Sequence, residues 1–534
     1  MSSRQKFLLV YPRIPETYWS YSHALRFTGK RALMPPLGLA TVAAMIPANY
    51  ECRIIDMNIE PLRDSDIREA DLVLISAMIV QSKSMARVIN RCRRVGTRVA
   101  AGGPYPTSAS EKIEGVDYFI LGEAEVTFPQ FLSDYAAGDP KPRYENSAKP
   151  SLCDSPIPRF DLLSMQRYES VPIQFSRGCP YDCEFCDIVQ LFGRTVRSKP
   201  PLRFIAEMDA ALATGFRGSM FVVDDNFIGN HRRTKELLRT VAAWQKQHRF
   251  PFQLCTEASI DLAHDRELLD LMVDAGFRMV FVGLESPVED SLAAAGKKQN
   301  LRWSAVEAVR TIQRRGIEVT GGFIIGFDSD PADIFDRQIR FVQQLAIPTA
   351  MVGLLTALPQ TALHRRLERE GRLTAVASGN NFSTTAMNFQ PLLPPRLIAE
   401  GYRRVLRALY SPSRYFDRCL RLLRLYPRRR NASMRPKPGG NMFRGAWRTI
   451  LAVPRSLVRQ TFSRYGLYYI RYMVHAIRLR PAQIVRIFTM AIQGHHHMTV
   501  TRSMFPRRVV VGAAEHERAD MFEPVDSSGV QPHW

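Results

Sequence analysis

Cysteine is scarce in this 534-residue chain, with eight in all, and five of them (Cys52, Cys92, Cys153, Cys255 and Cys419) stand alone. So thin a supply excludes the disulfide framework of a small secreted domain and suits a reducing compartment. Long apolar runs are also missing. No stretch approaches the roughly 18 residues of a membrane-spanning helix, and Phe7 to Val10 is too short for a signal-peptide core. The expectation is a cytoplasmic protein that does not span a membrane. Acid is nearly absent from one long stretch: residues 401–510 hold 24 Lys and Arg against one acid, Asp417. The net charge of +22 is therefore local, and the remaining chain is close to balanced. Neither hydrophobic nor charged residues are depleted, at 46% and 23%, which excludes a disordered chain and leaves room for two or three domains.

What the sequence does contain starts with three clustered cysteines, in Ser176-Arg177-Gly178-Cys179-Pro180-Tyr181-Asp182-Cys183-Glu184-Phe185-Cys186. Thiolates at Cys-x3-Cys-x2-Cys spacing can hold three irons of a [4Fe–4S] cluster, leaving the fourth iron open to a small molecule. A structural zinc site needs four ligands, and the next histidine is His231.

The first 138 residues alternate short apolar runs with helical spacing. Lys6–Tyr11, Arg53–Asp56, Asp71–Ser76, Arg98–Ala101 and Tyr118–Leu121 are the strand candidates of a doubly wound parallel sheet. Ligands of such a sheet bind outside the carboxyl ends of its strands, here Asp56-Met57-Asn58, Ser76, Gly102-Gly103 and Gly122-Glu123. Residues 139–164, rich in proline and polar side chains, read as a linker. A second α/β series over 165–392 supplies six strands rather than eight, which predicts a partial barrel with its site at the carboxyl edge. The cysteine loop follows the first of these strands. Residues 393–511 read as a basic helical region, with Arg418, Arg421 and Arg424 on one helix side. Residues 512–534 read as a disordered tail, and His495, His496 and His497 as a polar terminus rather than a metal site.

The cysteine spacing, Phe185 before the third cysteine and the partial barrel resemble the radical S-adenosylmethionine (SAM) superfamily. The preceding sheet resembles the cobalamin domain of its cobalamin-dependent class. Pro35-Pro36-Leu37-Gly38-Leu39, Asp56-Met57-Asn58, Phe221 to Asn230 and Trp244-Gln245-Lys246 are similar to the hopanoid C-2 methylase group within it. The resemblance implies that the open iron chelates SAM and that Phe185 packs beside its adenine. It also implies that Asp225 and Asn226 meet the methionine amine, and that Glu257 and Glu285 bind ribose or amine. Gly322, Ile324 and Gly326 match a Gly-x-Ile-x-Gly strand that passes the adenine. Asp56, Asn58, Ser76, Gly102, Gly103 and Glu123 would then border cobalamin. Where many cobalamin domains carry a cobalt-ligating histidine this chain has Asn58, so cobalamin is expected to lack histidine ligation there.

In such enzymes cobalamin relays a methyl group from one SAM, while a second SAM is cleaved at the cluster to a radical that takes hydrogen from an unactivated carbon. The implied partners are a polycyclic, lipid-like substrate and a ferredoxin or flavodoxin-type electron donor. Leucines and aromatics interleave with arginine at helical spacing in 401–510, which favours peripheral contact with an anionic membrane over nucleic acid. Two alternatives remain: a cyclase or mutase using the same cofactors, and a tRNA-modifying enzyme. The second would need another cluster, for which Cys52, Cys92 and Cys153 are poorly placed.

Overall fold

The structure, a computed structural model, describes residues 4–380, 387–427 and 442–505, with side chains in the last segment from 452. The expected disordered tail lies outside the described residues.

Strands β1 (Lys6–Tyr11), β2 (Glu51–Asp56), β3 (Leu72–Ser76), β4 (Arg98–Gly102), β5 (Tyr118–Leu121) and β6 (Arg143–Glu145) form one sheet in the order β2-β1-β3-β4-β5-β6. All pairs are parallel. Helices cover both faces, so successive side chains of one strand enter different cores: Phe7 and Leu9 join the main core, whereas Leu8 and Val10 pack with Ile55, Val73 and Ile75. That two-sided burial is why the strands read as unbroken apolar runs. The chain reverses direction across the sheet between β1 and β3, which opens a crevice at their carboxyl ends.

The expected linker is corrected by the structure. Its Arg143–Glu145 segment is the sixth strand, paired with β5. Ser155 further on hydrogen-bonds Glu125, at 2.9 Å, and its carbonyl receives Arg203. A three-residue edge strand carries too little apolar periodicity to be seen in sequence.

The second sheet joins β7 (Ser170–Ile173), β10 (Gly218–Val222), β11 (Phe252–Glu257), β12 (Phe277–Glu285), β13 (Glu318–Ile325) and β14 (Ala350–Leu354) in that order, all parallel. Between β7 and β10 a small antiparallel pair, β8 (Ser176–Arg177) and β9 (Arg197–Ser198), brackets the cysteine loop. The half-barrel is thus the six-unit architecture expected.

The basic region folds into helices Pro395–Leu409, Pro412–Leu425, Met442–Thr461, Gly466–Leu479 and Ile484–Met504. They seal the amino end of the barrel, opposite the cysteine loop. Tyr402 and Tyr410 donate to the carbonyls of Val352 and Ala350, and Arg486 reaches Gly316 and Arg278. Arg418 does not share a solvated side with Arg421 and Arg424. It is fully buried, hydrogen-bonds the carbonyls of Ile347 and Pro348, and lies between the rings of Tyr410 and Tyr415. No helix among the described residues is long and apolar enough to cross a membrane.

The three histidines are also corrected: they sit inside the last helix and are buried. The N-terminal segment packs on them, with Tyr18 and Tyr21 against His497 and His496, while Tyr465 bonds His495 at 2.5 Å. Burial pushes His495 and His496 down to about 4 and holds His497 well below its ordinary value. In the unfolded chain each titrates near 6.5, so the unfolded form takes up protons first and stability falls as pH drops below that value, levelling near 4. Between pH 6.5 and 5 His495 and His496 are each expected to cost about 2 kcal/mol. His497, neither of whose ring nitrogens is bonded among the described residues, is the one to remove. In urea titrations His497→Phe should flatten the loss between these pH values; an unchanged slope would rule the account out.

Candidate active site

Asp224, just past β10, anchors the cysteine loop at its start. Its carboxylate accepts from the amides of Phe175 and Ser176, at 2.8 and 2.7 Å, and from the Ser176 hydroxyl at 2.6 Å. Gly178 then turns with φ of 95°, where an added Cβ would lie 2.6 Å from the Thr195 carbonyl. Only glycine fits that turn. Further on, the Glu184 amide donates to Ala295 at 3.0 Å, the Leu363 amide donates to Glu184 at 2.8 Å, and Arg366 pairs with the Glu184 carboxylate at 2.8 Å. The three half-buried thiols thus stand on a loop braced from both sides.

Among the described residues no three His, Cys, Asp or Glu side chains converge as the ligands of a single ion do. A cubane cluster makes a different demand, because each thiolate takes a separate iron corner, so a short loop of three half-buried cysteines fits it.

The ends of β10, β11 and β12 face this loop. Asp225 is held up to about 8 by burial and by the charges of Glu257, Asp224 and Asp187, and its buried Oδ2 has no hydrogen-bond partner among the described residues. Glu257 is raised to about 7, by burial first and Glu285 second, against the pull of Lys297. Glu285, in left-handed backbone with φ of 59°, accepts from Lys297 at 2.7 Å. Lys297 was not foreseen. Burial alone would depress its ammonium, but Glu285 and the thiols of Cys183 and Cys186 hold it charged. Its Nζ lies 5.8 Å from the centre of the Phe185 ring, and Gln299 reaches the Cys183 sulfur at 3.8 Å. Nothing in the local sequence marks Lys297 or Gln299, because the loop that carries them meets the cysteines only in three dimensions. Buried carboxyls with one orphaned oxygen beside the three-cysteine loop suit a cofactor whose end is cationic.

The other expected cofactor residues divide. Phe185 and Ile324 share an apolar cluster with Phe327, Leu355 and Met387 at the barrel mouth. Gly326, with φ of 105°, donates to Asp330, and a Cβ there would strike Met387 at 2.7 Å. Gly322 instead makes room for the Phe281 ring, and Asn226 holds the Ser259 amide and hydroxyl at 3.2 Å.

At the edge of the first sheet, the Asn58 side chain is engaged in tying its loop to the segment after β1. It donates to Asp56 and to Pro12, and accepts from the Ile14 amide at 2.9 Å. Asp56 also receives the Tyr168 hydroxyl at 2.8 Å. Ser76 and Gly103 touch, since a Cβ on Gly103 would collide with the Ser76 oxygen, and Gly102 lies against the Ile120 carbonyl. Bulk at this edge is thereby kept low.

Glu123 has a part the sequence did not reveal. Its two carboxylate oxygens take Arg177 at 2.7 Å and Arg197 at 2.6 Å, while Glu125 takes Arg177 at 2.7 Å. Arg177 stands two residues before Cys179, so this buried cluster ties the cysteine loop to the carboxyl edge of the first sheet.

Three families match along the chain: a B12 binding domain at residues 31–132, the radical SAM superfamily at 173–342, and a domain of unknown function, DUF4070, at 361–508. An uncharacterized methyltransferase of Synechocystis sp. is 44% identical over 413 residues, 77% of either chain. The hopanoid C-2 methylase of Rhodopseudomonas palustris is 35% identical over 419 residues, 78% of either chain. The chain belongs to the cobalamin-dependent radical SAM family. Its fold agrees with that of the radical SAM methyltransferase TsrM from Kitasatospora setae, at a TM-score of 0.61 and 14% identity, covering 90% of this chain and all of that one. The cofactors of this cobalamin-dependent radical SAM enzyme are a [4Fe–4S] cluster, SAM and cobalamin, and its reaction class is methyl transfer.

Proposed function

We propose that the enzyme methylates an unactivated carbon of a hydrophobic polycyclic lipid of the hopanoid kind. The observation that carries this reading is the 35% identity shared with the hopanoid C-2 methylase over 419 residues. In this reading residues 1–138 hold cobalamin, 165–392 form the radical SAM barrel, and 393–511 cap it. Cys179, Cys183 and Cys186 hold the cluster. Asp225, Glu257 and Glu285 receive the cationic amino-acid end of SAM, with Lys297 holding the Glu285 carboxylate in place. Phe185, Ile324 and Gly326 border its adenine, with Asn226 and Gly322 shaping the strands behind. Asp56, Asn58, Ser76, Gly102, Gly103 and Glu123 shape the cobalamin edge, and the engaged Asn58 side chain leaves no imidazole to ligate cobalt.

When bound, the cluster and SAM supply a hydrogen-abstracting radical, and cobalamin supplies the methyl group. The chain's own work is alignment. Arg177 fixes the loop before Cys179 to the sheet edge, so the cluster loop and the cobalamin edge are held at a set separation. Electrons would come from a ferredoxin or flavodoxin-type donor.

The test is anaerobic incubation of the reconstituted enzyme with SAM labelled in its methyl group and a hopanoid extract. Label should appear in the hopanoid, with S-adenosylhomocysteine and 5′-deoxyadenosine formed together. Formation of 5′-deoxyadenosine without labelled lipid would overturn the substrate assignment. Absence of S-adenosylhomocysteine would favour the cyclase or mutase alternative.

A further inference from the structure

A solvated surface helix buries one apolar face and shows a polar one. The Gly466–Leu479 helix does not. Tyr469, Tyr472, Met473 and Ala476 are buried against the cap, yet the opposite side presents Leu467, Ile470, Val474 and Ile477 to the outside at intervals of three and four residues. The preceding helix continues this surface with Val458 and with Phe462, which is 86% exposed; Leu467 across the turn is 84% exposed. Six large apolar side chains on one hairpin exceed the scattered hydrophobic exposure of an ordinary surface.

The charges beside them are of one sign. Arg471 and Arg478, seven residues apart, follow one side of the Gly466–Leu479 helix, and Arg464 stands in the turn that leads into it. All three are exposed, and none makes an ion pair among the described residues. No acid occurs between residues 418 and 510 to neutralise them. A second copy of this face would set arginine against arginine, which opposes self-association. An anionic bilayer meets both demands: acyl chains take the apolar side chains, and lipid phosphates take guanidinium groups that extend past them.

We propose that the hairpin of the Met442–Thr461 and Gly466–Leu479 helices, through Val458, Phe462, Leu467, Ile470, Val474 and Ile477 flanked by Arg464, Arg471 and Arg478, docks the enzyme on the surface of a membrane rich in anionic lipid. The helices lie in the interface plane rather than crossing it. The surface lies in the cap, away from the cofactor residues, so it is independent of which substrate the enzyme methylates.

The full-length holoenzyme, without SAM or substrate, is floated with vesicles of phosphatidylcholine alone or mixed with phosphatidylglycerol. Binding is expected to the mixed vesicles and to weaken with salt. Arg464→Glu, Arg471→Glu and Arg478→Glu together should reduce it about a hundredfold. Phe462→Ser with Leu467→Ser should reduce it at least about tenfold, leaving iron content and thermal unfolding unchanged because both side chains face outward. Equal binding to both vesicle types, or binding that survives both sets of substitutions, overturns the proposal. So does a holoenzyme that ignores vesicles but self-associates through this face, read as dimers lost in the Phe462→Ser, Leu467→Ser variant.

Discussion

Cys183→Ala is expected to abolish both methyl transfer and formation of 5′-deoxyadenosine while leaving the fold intact. Cys183 is half-buried at the middle of the loop, and its backbone carbonyl still accepts the Cys186 amide at 3.1 Å once the thiol is gone. The rest of the loop keeps its anchors, because Asp224, Ala295 and Leu363 act on the main chain or on Ser176. The loss therefore falls on the iron. With two thiolates remaining, the cluster has two uncovered corners instead of one, and reconstituted protein should hold far fewer than the roughly four irons of a complete cubane. Iron analysis and the brown charge-transfer absorbance check this. Full iron content with full activity in the variant would remove the basis for the cluster assignment. Among the other cysteines, Cys255 lies in strand β11, Cys419 in a cap helix at the opposite end of the barrel, and Cys52 and Cys92 in the first domain.

Arg177→Met is expected to lower stability by about 3–5 kcal/mol, the cost typical of leaving a buried ionic partner uncompensated. The side chains of Arg177, Glu123 and Glu125 are 12%, 2% and 8% exposed, so water cannot take over the missing role. Burial alone would raise the Glu125 carboxyl, and it is Arg177 that holds it below the usual range. Without the guanidinium Glu125 is left to Ser155, and its carboxyl should rise and take up a proton. The wild-type contribution of Glu125 is present above the pKa of an unfolded carboxylate and lost as pH falls through the depressed folded value. The stability gap between wild type and variant should accordingly be largest near neutral pH and shrink in acid, a trend that urea titrations at two pH values would show. The functional effect should be distinct from that of Cys183. Arg177→Met keeps all three cysteines, so 5′-deoxyadenosine still forms, but fewer methyl groups reach substrate for each one released. A variant that unfolds like wild type with an unchanged ratio of methylated product to 5′-deoxyadenosine would show that the clamp does not set cofactor alignment.

The legible parts of this protein were those with short-range signatures. All five strands expected in the first sheet and all six in the half-barrel formed, because two-sided burial writes each parallel strand as a continuous apolar run. The cysteine loop was legible because its three thiols lie within eight residues, Cys179 to Cys186. Less legible were residues whose role depends on a distant partner. Glu123 stands at a strand end of the expected cobalamin edge, but nothing near it in sequence shows that it is also bound by Arg177 and Arg197, more than fifty positions away. Arg418 followed the helical spacing of Arg421 and Arg424, yet it turns inward because the carbonyls of Ile347 and Pro348 need a donor. Lys297 had no local signal at all.

The sequence by itself determined the two α/β domains, the three-cysteine loop and the sign and place of the excess charge, since each depends on residue type and spacing along a few turns of chain. Only the tertiary structure decided which charges are spent inside and which remain outside. It buried Arg418 and the three histidines, joined Arg177 to Glu123 and Glu125, brought Lys297 to the cysteines, and left Phe462 and Leu467 uncovered. The physical reason is that a charge or apolar group acquires its energy from what surrounds it, and those surroundings are assembled from parts of the chain that are hundreds of residues apart.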